Sequence, residues 1–163
     1  MNKDSSKQDD IVREQLIKLL QGEQAHASFD NAINGLHEKL RGVVPENLPY
    51  SIWQIVEHIR ITQWDILEFS RNANHRSPKW PESYWPKEKD PKDNAQWEKT
   101  IKQIKEDQDE FVELLKDEGS DLYKPFPWGD GQNLLREAML IADHNSYHTG
   151  EIIVIRRLLK NWK

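Results

Sequence analysis

Two histidines four residues apart, His144 and His148, stand within "ADHNSYHTGEIIVIRRLL", residues 142–159. The apolar residues of that stretch repeat at helical spacing, and the two imidazoles fall on or beside the same stripe. Positions four apart on a helix lie about 40° apart around its axis and about 6 Å apart along it. Two imidazoles so placed converge on one ion, which is the reason HxxxH recurs in metal sites. Their nitrogens suit zinc and nickel, and also iron and manganese. A metal-free alternative is a pair of core histidines bonded to carbonyls or carboxylates. A complete metal site needs a third ligand from elsewhere in the chain.

Four histidines are available: His26, His37, His58 and His75. His75 falls in a polar, proline-bearing stretch. His26 lies on the apolar stripe of a first helix, His37 beside it, and His58 flanks the inner face of a second. If those two helices are antiparallel neighbours, His26 stands about 22 Å before the first one ends and His58 about 10 Å into the next. They do not share a level, so one of them at most belongs with the pair. His37 is closer in level to His58 but points less inward. The geometry leans to His58 without excluding His37. Asp143, Asn145 and Glu151 are available to hold the ligands from behind, whereas Tyr147 lies about 100° around the helix from His148.

The elements that must position these residues are helical. Residues 1–8 read as a tail. A long first helix is expected from about Asp9 to Arg41, with an inner stripe of Val12, Leu16, Leu19, Phe29, Ile33, Leu36 and Leu40; Gly22 and Gly35 weaken it and allow a kink. "GVVPENLPY" breaks the pattern through its prolines. Ser51 with Gln54 three residues on forms a capping box for a second helix that runs to about Asn72. A connection of about 20 residues follows, too long for an ordinary bundle loop and therefore functional or a crossover. Asp90–Pro91 marks the start of a third helix, which carries Trp97, Ile101, Ile104, Phe111, Leu114 and Leu115 and stops near Gly119. The fourth runs from about Asn133 to Trp162. No convincing period-2 strand occurs. The expected fold is all-α, a single-domain four-helix bundle over residues 1–163 with one long crossover.

Composition narrows the function. The chain has 163 residues, 36% hydrophobic and 31% charged, with a formal net charge of −5. That charge offers no general attraction to nucleic acid or anionic lipid, and no apolar run approaches the length of a membrane span. Neither class of partner is expected. There is no cysteine, so the protein supplies no thiolate ligand or nucleophile, and any thiol chemistry needs a thiol brought by a substrate. A cysteine-free chain without a signal-peptide pattern fits the cytoplasm.

"ADHNSYHTGEIIVIRRLL", taken with the isolated histidine of "SIWQIVEHIRITQWDIL", resembles the DinB-like family of metal-binding four-helix bundles. The likeness is densest over residues 48–69 and 134–159. It implies a divalent metal held by one histidine of the second helix and two of the last, which by position are His58, His144 and His148. It also implies a homodimer, and for some relatives the transfer of a low-molecular-weight thiol such as bacillithiol or mycothiol, or thiol-dependent isomerisation. One departure is visible: members often carry Gly-Gln where this chain has Gly150-Glu151. The expected function is transfer of a small thiol to a small electrophile, in detoxification or stress. The alternatives are hydrolysis at the same three histidines and a non-catalytic stress-associated bundle. No residue stands out as a general base. Trp80, Tyr84, Trp85 and Trp128 either wall a pocket mouth or cover the ends of the bundle or a dimer contact. Arg156, Arg157, Lys160 and Lys163 fit a cation-favouring helix C-terminus.

Overall fold

Ser51 opens the helix on which the site depends. Its hydroxyl accepts from the Gln54 amide at 3.2 Å while the Gln54 side chain accepts from the Ser51 amide, the reciprocal capping box. In this computed structural model, which describes residues 3–22 and 25–162, the helices are α1 (Lys3–Gln21), a short α2 (Phe29–Ile33), α3 (Ile52–Arg71), α4 (Asn94–Lys116) and α5 (Leu134–Leu158), with a 3-10 turn at Glu38–Leu40. No strand occurs among the described residues, so the chain is all-α.

The long first helix is corrected. Helix α1 begins at Lys3, so residues 3–8 are helical, and it stops at Gln21. Gly22 and Gly35 adopt φ of +81° and +69°. That left-handed region ends a helix instead of kinking it, and glycine enters it without a Cβ penalty. A new start follows at Ser28, whose side chain caps α2 in a second capping box. Among the described side chains of α1, the buried ones are Leu16 and Leu20, and Leu19 is exposed. The Asp90–Pro91 start is also displaced: Asp93 caps α4, accepting from the Gln96 amide at 2.8 Å.

Helix directions follow from side-chain bonds. Gln63 and Arg71 of α3 reach Ile104 and Glu110 of α4 in ascending order, so α3 and α4 run parallel, joined by residues 72–93 as the crossover. His58 stands beside His148 and Gln63 beside Asn145, so α3 and α5 are antiparallel. Arg13 bonds the Leu115 carbonyl and Gln108 the Leu20 carbonyl, so α1 and α4 are antiparallel.

The core falls into two apolar clusters. One gathers Ile52, Trp53, Val56 and Ile59 of α3 with Trp97, Ile101 and Ile104 of α4 and Ile152 and Ile155 of α5. The other gathers Leu16 and Leu20 with Ile66, Leu67, Phe111, Leu115, Leu134, Ala138 and Ile141. Between them, residues 142–151 of α5 and 60–65 of α3 bring Gln63, Asn145, His144 and Thr149 inward, a polar layer through the middle of the bundle. Arg156 closes one end. It is buried, and it donates to the Ala32, Asn34 and Asn161 carbonyls and lies over the Trp162 ring. That pins α2 and the C-terminal segment to α5, a packing role that a cation near a helix C-terminus does not require.

Candidate metal centre

His58, His144 and His148 meet at the edge of this polar layer. One ring nitrogen of each lies within 4.8 Å of those of the other two. The Nε2 atoms of His58 and His144 are 3.0 Å apart. His58 and His148 are buried and His144 is half-buried. The i,i+4 spacing puts His144 and His148 on one face of α5, and the antiparallel packing of α3 brings His58 to their level. None of the other three histidines joins them. His26 lies outside any helix, exposed, with Nε2 2.9 Å from the Ser146 hydroxyl. His37 caps the 3-10 turn, accepting from the Lys39 amide. His75 pairs with Asp65 at 2.7 Å.

The contacts behind the rings decide where the protons sit. Nδ1 of His58 stands 2.9 Å from the Tyr84 carbonyl oxygen. A carbonyl only accepts, so Nδ1 carries the hydrogen and Nε2 keeps a bare lone pair. Nδ1 of His148 is 2.7 Å from Glu151 Oε2, and a carboxylate imposes the same tautomer. For His144 the direction comes from further away. Gln63 donates to the Ile104 carbonyl at 2.6 Å, Asn145 Nδ2 donates to Gln63 Oε1 at 2.7 Å, and Asn145 Oδ1 is left 3.4 Å from His144 Nδ1 as an acceptor. Each ring thus has its Nδ1 turned to an acceptor and its Nε2 turned to the cluster.

Burial keeps His58 and His144 neutral. The pKa of His58 is lowered to about 4 by desolvation, against the pull of the Tyr84 carbonyl. That of His144 is also lowered to about 4, by desolvation and then by His148. Neutral imidazole is the ligand form. Three bare nitrogens facing one another repel unless one ring gives up its tautomer or a cation sits among them. Two imidazole nitrogens about 2.1 Å from a common zinc ion stand about 3 Å apart at a right angle and about 3.4 Å at the tetrahedral angle. The 3.0 Å contact is already at ligand spacing, and the donor set fits a divalent cation.

Aromatic residues of the crossover, with Tyr50 and Asp65, which the sequence pattern did not single out, hold this arrangement. Trp85 stacks on His58 at 3.9 Å and 9°, and Tyr50 stacks on Trp85 at 3.8 Å. Tyr84 is buried and its hydroxyl donates to Asp65 at 2.5 Å. The loop aromatics therefore divide: Tyr84 and Trp85 back the histidines, whereas Trp128 stacks on Phe126 and bonds the Phe69 carbonyl, and Trp80 packs on Tyr84. Tyr147 faces solvent and Asp143 is exposed.

A sequence model of the DinB superfamily matches residues 21–152. The chain belongs to the DinB superfamily. The matched region begins where α1 ends and contains all three clustered histidines, the whole of segment 48–69 and residues 134–152 of the second segment of likeness. Neither the curated proteins nor the solved structures gave a match. Two cavities flank the centre of this DinB-superfamily bundle. A cleft of about 310 Å³ lies between Leu48, Pro49 and Tyr50 on one side and Gly150, Glu151 and Val154 on the other. A larger one, about 600 Å³, lies between α1, α4 and α5 and includes His26, Gln63 and Asn145; none of the three clustered histidines lines either cavity. Among the described residues, no helix is long and apolar enough to cross a membrane.

Proposed function

We propose that His58, His144 and His148 hold a divalent metal, zinc or nickel ahead of iron or manganese, and that the centre transfers a low-molecular-weight thiol to a small electrophile. The observation that carries the metal reading is the convergence of one ring nitrogen from each of three histidines, with each ring backed at Nδ1 by an acceptor. Three histidines leave at least one coordination position for an exogenous group, the pattern of catalytic rather than structural zinc. A divalent cation so held supplies Lewis acidity, lowering the pKa of a thiol or water that reaches it.

The chain's own part is binding and orientation. Tyr84, Glu151 and Asn145 fix the tautomers, and Trp85 and Tyr50 wall the back of His58. The cleft beside Glu151 is of a size for a small ligand. With no cysteine of its own, the protein receives its thiol as a substrate, as the family resemblance implies. A cytoplasmic, detoxifying homodimer goes with this reading.

Metal content of untagged protein, by elemental mass spectrometry, tests the site: near one equivalent in wild type and little in His144→Ala. Metal-free protein that stays so when offered zinc, nickel, manganese or iron defeats it. Turnover of a model electrophile with and without a small thiol then separates transfer from hydrolysis, which needs only water.

A further inference from the structure

We infer that Asp65 is a positioning residue for the metal centre, acting on His58 through Tyr84. The inference rests on the metal reading above, but part of it is open to measurement in metal-free protein. Asp65 lies seven residues after His58, two turns further along the same face of α3. It is buried, and each carboxylate oxygen has a partner in the crossover segment: Oδ2 accepts from the Tyr84 hydroxyl at 2.5 Å, and Oδ1 is 2.7 Å from His75 Nε2. The crossover returns at Tyr84 to give its backbone carbonyl to His58 Nδ1 at 2.9 Å.

One residue thus touches α3 twice, through its hydroxyl at Asp65 and its carbonyl at His58. The next residue, Trp85, lies flat against the His58 ring. Residues 72–93 contain no helix that could hold this carbonyl in place. Two other bonds anchor only the far side of the segment: Gln54 donates to the Pro86 carbonyl at 3.1 Å and Ser51 to the Lys89 carbonyl at 2.5 Å. On the near side the tie is Asp65, which takes both Tyr84 and His75. A buried carboxylate forms stronger bonds than a neutral acceptor. It also costs free energy to bury unless both oxygens are partnered. That double requirement selects one placement of the segment over His58. Loss of the tie frees the Tyr84 carbonyl to drift and lets His58 take the Nε2–H tautomer, whose proton occupies the nitrogen needed by a cation.

The test uses the full chain with Tyr84→Phe, which removes only the hydroxyl, and Asp65→Asn, which leaves an amide able to satisfy one partner. The first readout is the ¹⁵N spectrum of His58 in metal-free protein, which distinguishes the tautomers. The second is zinc affinity by competition with a chromophoric chelator. Wild type is expected to hold His58 as Nδ1–H, with a mixture in both variants and zinc binding weakened about 10–100-fold, the range for loss of outer contacts to a ligand. His75→Gln, which keeps a donor for Asp65, is expected to stay within a few-fold of wild type. Unchanged tautomer and affinity in Tyr84→Phe, with only a lower melting temperature, would reduce the contact to packing and overturn the inference. Should Asp65→Asn fail to fold, Tyr84→Phe decides alone. Wild type in the Nδ1–H tautomer but unable to bind zinc would end the metal reading, while a wild-type Nε2–H tautomer would end this one.

Discussion

Glu151→Gln changes the charge behind one candidate ligand and almost nothing else. Glu151 Oε2 accepts from His148 Nδ1 at 2.7 Å, and its side chain is 35% exposed. Glutamine keeps an acceptor oxygen of similar reach, so the tautomer survives and only the charge is lost. Hydrogen bonds to charged groups contribute about 1.5–3 kcal/mol against about 0.5–1.5 for neutral pairs. Partial exposure screens the difference toward its lower end, about 1 kcal/mol. At about 1.4 kcal/mol per factor of ten, zinc affinity should fall about fivefold. Glu151→Ala, which leaves Nδ1 to water, should lose about tenfold or more. Competition with a chromophoric chelator measures both, and the charge component should shrink in high salt. Affinity equal to wild type in the glutamine variant would refute the claim that the carboxylate strengthens His148 as a donor. Complete loss of metal from the glutamine variant would refute it differently, since Glu151 would then itself be a ligand.

Three more predictions follow from the same contacts. Metal-free protein should lose stability as pH falls from about 6.5 toward 4. His58 and His144 have folded pKa values of about 4 against an ordinary 6.5, so the unfolded chain binds more protons across that window and stability is present above it; a melting temperature flat over those pH values contradicts this. Arg156→Met strands the Ala32, Asn34 and Asn161 carbonyls and should cost about 3 kcal/mol, or roughly 6–12 °C by calorimetry, with zinc affinity held within a few-fold. Ser51→Ala removes the α3 cap and the bond to Lys89 and should cost about 1–2 kcal/mol; an unchanged melting temperature would mean that the capping box does not set the start of α3.

The bundle and two-thirds of the candidate centre were legible in the sequence because both rest on local periodicity. A 3.6-residue repeat places His144 and His148 together whatever surrounds α5, and the Ser51–Gln54 box states where α3 begins within four residues of chain. The first helix misled for a related reason. Its apolar repeat continues past Gly22 in register, and periodicity alone does not distinguish a glycine that bends a helix from one at positive φ that ends it. His26 was carried onto a helix face by the same extrapolation.

What only the tertiary structure decided is how distant segments meet. His58 joins the pair because α3 runs antiparallel to α5 at one particular level, set by the packing of two apolar clusters with a polar layer between them. The Tyr84 carbonyl is a backbone atom in a segment without periodicity, so no residue type announces it. The Asp65–Tyr84 bond spans 19 residues of chain, and the Gln63–Asn145 bond spans 82. Sequence determines which side chains are able to bind a metal. The proton on each ring, and with it the direction of every lone pair, is set by acceptors that folding brings from other elements.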